Sequence, residues 1–323
     1  MVDRCRICDQ PATQSLGSYR FCDKHYARAL RQRGSLWRAD LISLLGLVAF
    51  VLIVYALDSW LKPDLRGTAL TSVGVLVAIV PAAIWLLFFY RRDRLEPEPK
   101  GMVIGVFVLG ALVAEAVGIP VVQNLFDVSS WLNLGLLAQV GGSILVTGFV
   151  QIGLIYLAVR LSVYASSEFD EWTDGILYGT AAGVGYATIL NVDFIVSSGG
   201  ADLGVGTIRV ALTALVLASL GGLVGYFLGH DRLEVRPVWY VPAGVILAAV
   251  LDGLFWYLRT YFTGGLVGGI PSNWTGLVIA VILAAVVTWF LSTTVSREIR
   301  RALGAAPLGA APPAAPKTPG DPS

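Results

Sequence analysis

The chain has 323 residues, 56% of them hydrophobic and only 14% charged, where a water-soluble domain carries about a quarter charged residues. That balance excludes a soluble globular enzyme and describes an integral membrane protein. The net charge of +1 leaves no footprint for nucleic acid, and no nucleic-acid partner is expected.

Residues 1–36 form a polar, basic module. It carries Cys5-Arg6-Ile7-Cys8 and, after a further 13 residues, Cys22-Asp23-Lys24-His25. Three thiolates and one imidazole at this spacing close tetrahedrally around Zn²⁺ and leave no position for water, so the metal is structural. All three cysteines of the chain lie here, in a segment assigned to the reducing cytoplasm, where thiolate–metal binding is favoured over disulfides. A module this small has no core of its own, and metal binding supplies its folding free energy. A closed site of this kind suits structure or a cytoplasmic protein partner rather than catalysis.

The membrane domain spans residues 37–300. Eight apolar runs, at 41–57, 69–90, 101–122, 134–159, 174–196, 207–228, 238–258 and 274–295, each approach the ~20 residues a helix needs to cross the hydrocarbon layer. No small-residue cleavage pattern adjoins the first run, so it is expected to stay in the mature chain. Of the 23 Lys and Arg residues, all but Lys62, Arg66, Arg209 and Arg259 fall on one side when the amino terminus is cytoplasmic. This bias recurs loop by loop and places both termini in the cytoplasm of a plasma (inner) membrane. Trp60, Trp131, Trp172, Trp239 and Trp274 sit near run ends, where amphipathic rings prefer the interface. Residues 301–323 are a Pro/Ala-rich tail expected to be disordered. The fold class is therefore an all-α bundle of about eight transmembrane helices behind a small zinc module.

Two segments of the membrane domain carry recognisable patterns. Asp93-Arg94-Leu95-Glu96-Pro97-Glu98-Pro99-Lys100 is a proline-stiffened turn between the second and third runs. In the fifth run Gly175, Gly179 and Gly183 recur every four residues, a smooth stripe on which a second helix can approach backbone to backbone. Asp174-Gly175, Tyr178-Gly179 and Gly183-Val184-Gly185-Tyr186 lie along that helix. In order and spacing these segments resemble the PrsW-type intramembrane proteases. The resemblance implies a polytopic bundle with a hydrolytic site inside the membrane.

It also implies where that site falls. The family's E-E-x-x-K maps onto Thr147-Gly148-Phe149-Val150-Gln151, and its F-x-x-x-E onto Tyr186 through Leu190. A histidine of the next span maps onto Leu217, and an H-x-x-x-D-like pattern onto Asp252 through Trp256. The acids, the lysine and the histidines are replaced. Residual polar candidates in the spans are Glu115, Asn191, Asp193 and Asp252, together with Gln139 and Gln151. Ionisable groups at such depth face a protein interior or a wet cavity. Asp193 and Asp252 would make an aspartyl pair if they converged. Otherwise Asp193 snorkels outward and Asp252 pairs with a donor such as Gln151 or Asn191. His230 is expected in a loop beyond its span, and no catalytic metal is expected.

The functional expectation is a catalytically degenerate homologue that binds transmembrane proteins or peptides within the lipid bilayer. An active endopeptidase with an unconventional acidic site and a transporter or channel are the alternatives.

Overall fold

A computed structural model describes residues 4–5, 10–16, 19–24, 26, 36–61, 66–92, 99–131, 134–200, 203–263 and 272–304. The chain divides into two compact units, Met1–Leu36 with Ser292–Ser323, and Trp37–Leu291. In the first, strands β1 (Gln14–Leu16) and β2 (Tyr19–Phe21) pair antiparallel, with Ser15 opposite Arg20. Arg4 bridges Pro11, and between them the Cys5 amide donates to the Gln10 carbonyl at 2.8 Å. Cys5 and Cys22 are buried, whereas the other described side chains of this unit are exposed or half-buried. Cys8 and His25, the other two expected ligands, lie outside the described residues, as does the Asp93–Glu98 segment.

The second unit is helical. Its helices are α1 (Leu36–Leu61), α2 (Thr68–Arg92), α3 (Lys100–Trp131), α4 (Leu136–Ser162), α5 (Trp172–Ser197), α6 (Leu203–Leu233), α7 (Tyr240–Thr263) and, as far as Leu291, α8 (Ser272–Gly304). Among the described residues, seven of them, α2 to α8, are long and apolar enough to cross a membrane. The run expected at 41–57 falls in α1, whose described apolar stretch is Leu45–Trp60. The run expected at 207–228 continues to Leu233, so His230 is not in a loop. It is buried in the last turn of α6, with its ring 4.5 Å from Tyr226 and 5.3 Å from Trp172.

Two spans are not plain α-helices. In α3 the backbone widens into π-turns over Ala114–Gly118 and Pro120–Leu125. Pro120 has no N–H to continue an i→i−4 ladder, and π-turns are a usual way to absorb that loss. In α4 the widened stretch is Gly142–Gly148, next to the Gly141-Gly142 pair.

The glycine stripe of α5 meets an equivalent one on α6. A Cβ on Gly175 would overlap the Gly225 carbonyl oxygen, one on Gly179 that of Gly221, and one on Gly183 that of Leu217. Gly221, Gly225 and Gly229 repeat the four-residue spacing, so the two antiparallel helices touch along three successive turns. The opposite side of α5 is equally close to α3: a Cβ on Gly185 would overlap the Phe107 carbonyl, and one on Gly110 that of Ala182. Lipid tails are as apolar as leucine, so close van der Waals contact of this kind is what drives helices together in a membrane.

The amino-terminal end of α5 is fixed by a reciprocal cap. Asp174 accepts from the Glu171 amide at 2.6 Å and from the Asp170 amide at 3.1 Å. The Glu171 side chain accepts in turn from the Asp174 amide. Asp174-Gly175 thus does two jobs in sequence, capping α5 and then seating it on α6. Just before it, Tyr164 donates its hydroxyl to Asp231 Oδ2 at 2.7 Å, joining the ends of α4 and α6. Burial and then that hydrogen bond push the phenol from 10.0 up to about 12, against the opposing pull of Arg160 and Arg232.

Two outcomes follow. Gly179→Val drives a branched side chain into backbone and costs about 1–3 kcal/mol or more in detergent unfolding, whereas Gly105→Ala, where a Cβ meets nothing within 4 Å, is neutral to within about 0.5 kcal/mol. The Tyr164 contribution to stability is complete below pH 10.0 and is lost as pH rises toward about 12, so Tyr164→Phe flattens the alkaline limb of the stability profile.

Candidate functional site: a buried polar cluster between α4, α5 and α7

Helices α4 and α7 also meet at backbone distance. A Cβ on Gly148 would overlap the Ala249 carbonyl oxygen, and one on Gly253 would overlap Ile144 and stand 2.6 Å from the Ser143 carbonyl oxygen. The crossing brings Thr147 and Gln151 on α4 to the same level as Asp252 and Trp256 on α7. Thr147 is buried but turned to its own helix, donating to the Gly142 carbonyl at 3.3 Å. Gln151, 4% exposed, accepts from the Trp256 indole N–H at 3.3 Å. The guanidinium of Arg259 lies over the Trp256 ring, 5.0 Å from its centroid.

Asp252 is 0% exposed, and neither carboxyl oxygen has a hydrogen-bond partner among the described residues. The Trp256 indole lies beside it, but its N–H is directed to Gln151. Tyr186 on α5 is equally buried, its hydroxyl likewise unpartnered, near enough to Asp252 to feel its charge and wedged against Gly118 of α3. Leu190, one turn beyond Tyr186, is half-buried, and Leu217 is fully buried on α6. Both belong to the apolar core that holds Tyr186 and Phe255.

The remaining candidates stand apart from this cluster. Glu115 is exposed on α3. Asn191 is buried and donates to the Val210 carbonyl at 3.1 Å, tying α5 to α6 rather than serving Asp252. Asp193 accepts from Gln123 at 3.0 Å and faces the charge of Arg209, whose guanidinium lies 3.6 Å from the Phe194 ring centroid. It lies seven residues, about 10 Å of helix, beyond Tyr186. Asp193 and Asp252 therefore occupy separate surroundings, and among the described residues neither Gln151 nor Asn191 donates to Asp252. Sequence reasoning missed Tyr186 as a polar member of the site and Gln123 as the partner of Asp193. The signal for the first was available, a phenol set among glycines and alanines in mid-span.

Among the described residues, seven helices long and apolar enough to cross a membrane, with a polar cluster buried among them, are the make-up of a multi-pass membrane protein. The family model described as PrsW family intramembrane metalloprotease matches residues 98–291, so the chain belongs to the PrsW family. Proteins named Protease PrsW are similar: that of Bacillus subtilis (strain 168) is 28% identical over 59% of this chain and 83% of its own. That of Oceanobacillus iheyensis is 28% identical over 58% and 81%, and that of Clostridioides difficile (strain 630) 28% over 56% and 76%. No solved structure matches the chain.

A hydrolytic metal needs about three His or carboxylate ligands and an open position for water. Among the described residues no group of three or more His, Cys, Asp or Glu side chains gathers. Around position 252 the donors are one carboxyl, one phenol and an amide engaged by an indole. This set does not fit a catalytic metal.

The cluster makes its own prediction. Trp256→Phe removes the donor to a buried amide and costs about 1–3 kcal/mol, while Asp252→Asn, which breaks no hydrogen bond, shifts unfolding by less than about 0.5 kcal/mol. Chemical unfolding of the two purified variants in the same detergent checks the difference.

Proposed function

We propose that this chain is a PrsW-family member that has lost peptide hydrolysis and keeps the bundle for binding transmembrane segments of other proteins. The observation that carries the reading is the content of the interior cluster, where Gln151 is engaged by Trp256 and Asp252 is the one carboxyl. Cleaving an amide within a membrane needs one group to activate water and another to stabilise the oxyanion. Thr147 donates into its own helix, Leu190 and Leu217 add no polar atom, and the Trp256 N–H is occupied. A second reading, an endopeptidase working from Asp252, draws on its two oxygens, unpartnered among the described residues, whose charge reaches Tyr186.

The amino-terminal unit fits a structural Zn²⁺ held by Cys5, Cys8, Cys22 and His25. Its support is the burial of Cys5 and Cys22 among described neighbours that are exposed or half-buried, one beside the Arg4–Pro11 bridge and the other directly after β2. We further assign α1 as an eighth span and both termini to the cytoplasmic side of the plasma membrane, following the basic residues.

Reconstitution with a labelled single-span peptide tests the main proposal. The natural chain is expected to associate with the peptide, read by energy transfer, and to release no fragments. Cleavage that persists in Glu115→Gln and Asp193→Asn but vanishes in Asp252→Asn would establish the second reading instead. Elemental analysis of the full chain should find one zinc per protein, lost in Cys22→Ala while the spans stay inserted. A natural chain without zinc removes the metal proposal.

A further inference from the structure

The ends of α4 and α6 that Tyr164 joins carry a second arrangement, independent of the interior cluster. Arg160 on α4 places its guanidinium 3.7 Å from the Tyr164 ring centroid, and Arg232 on α6 lies 5.6 Å from it. The ring packs against Phe169 at 5.7 Å, itself stacked on Tyr178 at 6.1 Å, so the ring that both cations approach belongs to a row of three aromatics. Of the acids at this rim, Asp231 is engaged by the Tyr164 hydroxyl, Glu234 by Arg236 and Glu171 by the Thr173 hydroxyl, while Glu168 and Asp170, on the loop that carries Phe169, are exposed and form no ion pair with Arg160 or Arg232 among the described residues. Both arginines are exposed, and neither joins an ion pair among the described residues. Both stand in the last turns of their helices, where two spans end.

The surroundings are apolar and equally exposed. Leu161 follows Arg160 at 78% exposure, and the turn between α6 and α7 presents Val235, Val238 and Trp239. In water such a rim is costly; at a bilayer interface it sits among the upper acyl chains, with Trp239 at headgroup depth. A free anion would satisfy the cations but not these side chains.

We propose that Arg160 and Arg232, set on Tyr164, form a binding site for the phosphodiester headgroup of an anionic phospholipid whose acyl chains lie against Leu161 and the Val235–Trp239 turn. Guanidinium forks match phosphate oxygens, and basic pockets between span ends are known to take such headgroups. The bound lipid bridges α4 and α6 at the end where Tyr164 and Asp231 already join them, and so stabilises the bundle.

The test uses the purified full-length protein in a neutral detergent. Phosphatidylglycerol, phosphatidylcholine of the same acyl chains, and glycerol 3-phosphate are titrated separately, with thermal unfolding and native mass spectrometry as readouts. Phosphatidylglycerol is expected to raise the unfolding temperature and to remain bound. The other two are expected to do neither. Arg160→Gln with Arg232→Gln should weaken the lipid effect at least about tenfold, whereas Arg236→Gln leaves it intact. The double Lys variant keeps the charge and should retain part of the effect, and it decides the matter if the Gln variant does not fold. An equal shift with phosphatidylcholine, or an undiminished phosphatidylglycerol effect in both double variants, overturns the site. An equal shift with glycerol 3-phosphate shows a free-phosphate site and overturns the lipid.

Discussion

The close contact of α5 with α6 is the constraint on which the remaining architecture depends. With no solvent to expel, the pair is held by dispersion between backbones, which decays steeply with separation and therefore needs residues without side chains. Gly175, Gly179 and Gly183 on one helix and Gly221, Gly225 and Gly229 on the other satisfy that need turn by turn. Once α5 is seated, Gly185 and Gly110 bring α3 equally near on its other side, and Tyr186 is carried into the middle of the bundle. A separate crossing, Gly148 against Ala249 and Gly253 against Ile144, brings in α4 and α7. The interior cluster lies where the two sets of contacts meet.

Most of this packing was legible in the chain. Apolar runs of span length, the four-residue glycine spacing and the polar residues stranded within spans each reflect a single local rule, and those rules hold without tertiary context. Hidden from sequence were features decided between helices. The π-turns of α3 and α4 depend on how a proline and a glycine pair are absorbed, which no periodicity reports. His230 reads as a loop residue because a charged stretch follows it, yet the helix runs on and the imidazole is packed between Trp172 and Tyr226.

The site was partly legible in the same way. The mapping onto Gln151 and Asp252 rested on pattern order, and the α4–α7 crossing does bring Gln151 and Trp256 into contact. The partner of Asp252 could not have been judged from sequence: Asn191 donates to the Val210 carbonyl instead, and Gln151 accepts from the Trp256 indole with no bond from its amide to the carboxyl. The amino-terminal ligand spacing is plain in the sequence, while the described structure reaches two of its four members.

The double-sided closeness of α5 also restricts traffic. A helix with backbone neighbours on two sides cannot step aside without breaking both contacts, and no side-chain rotation can open a gap where there are no side chains to rotate. Lateral entry of another protein's span toward position 252 therefore cannot pass between α5 and α6 or between α5 and α3 at these levels. Any doorway into this bundle has to be framed by helices whose facing surfaces can yield.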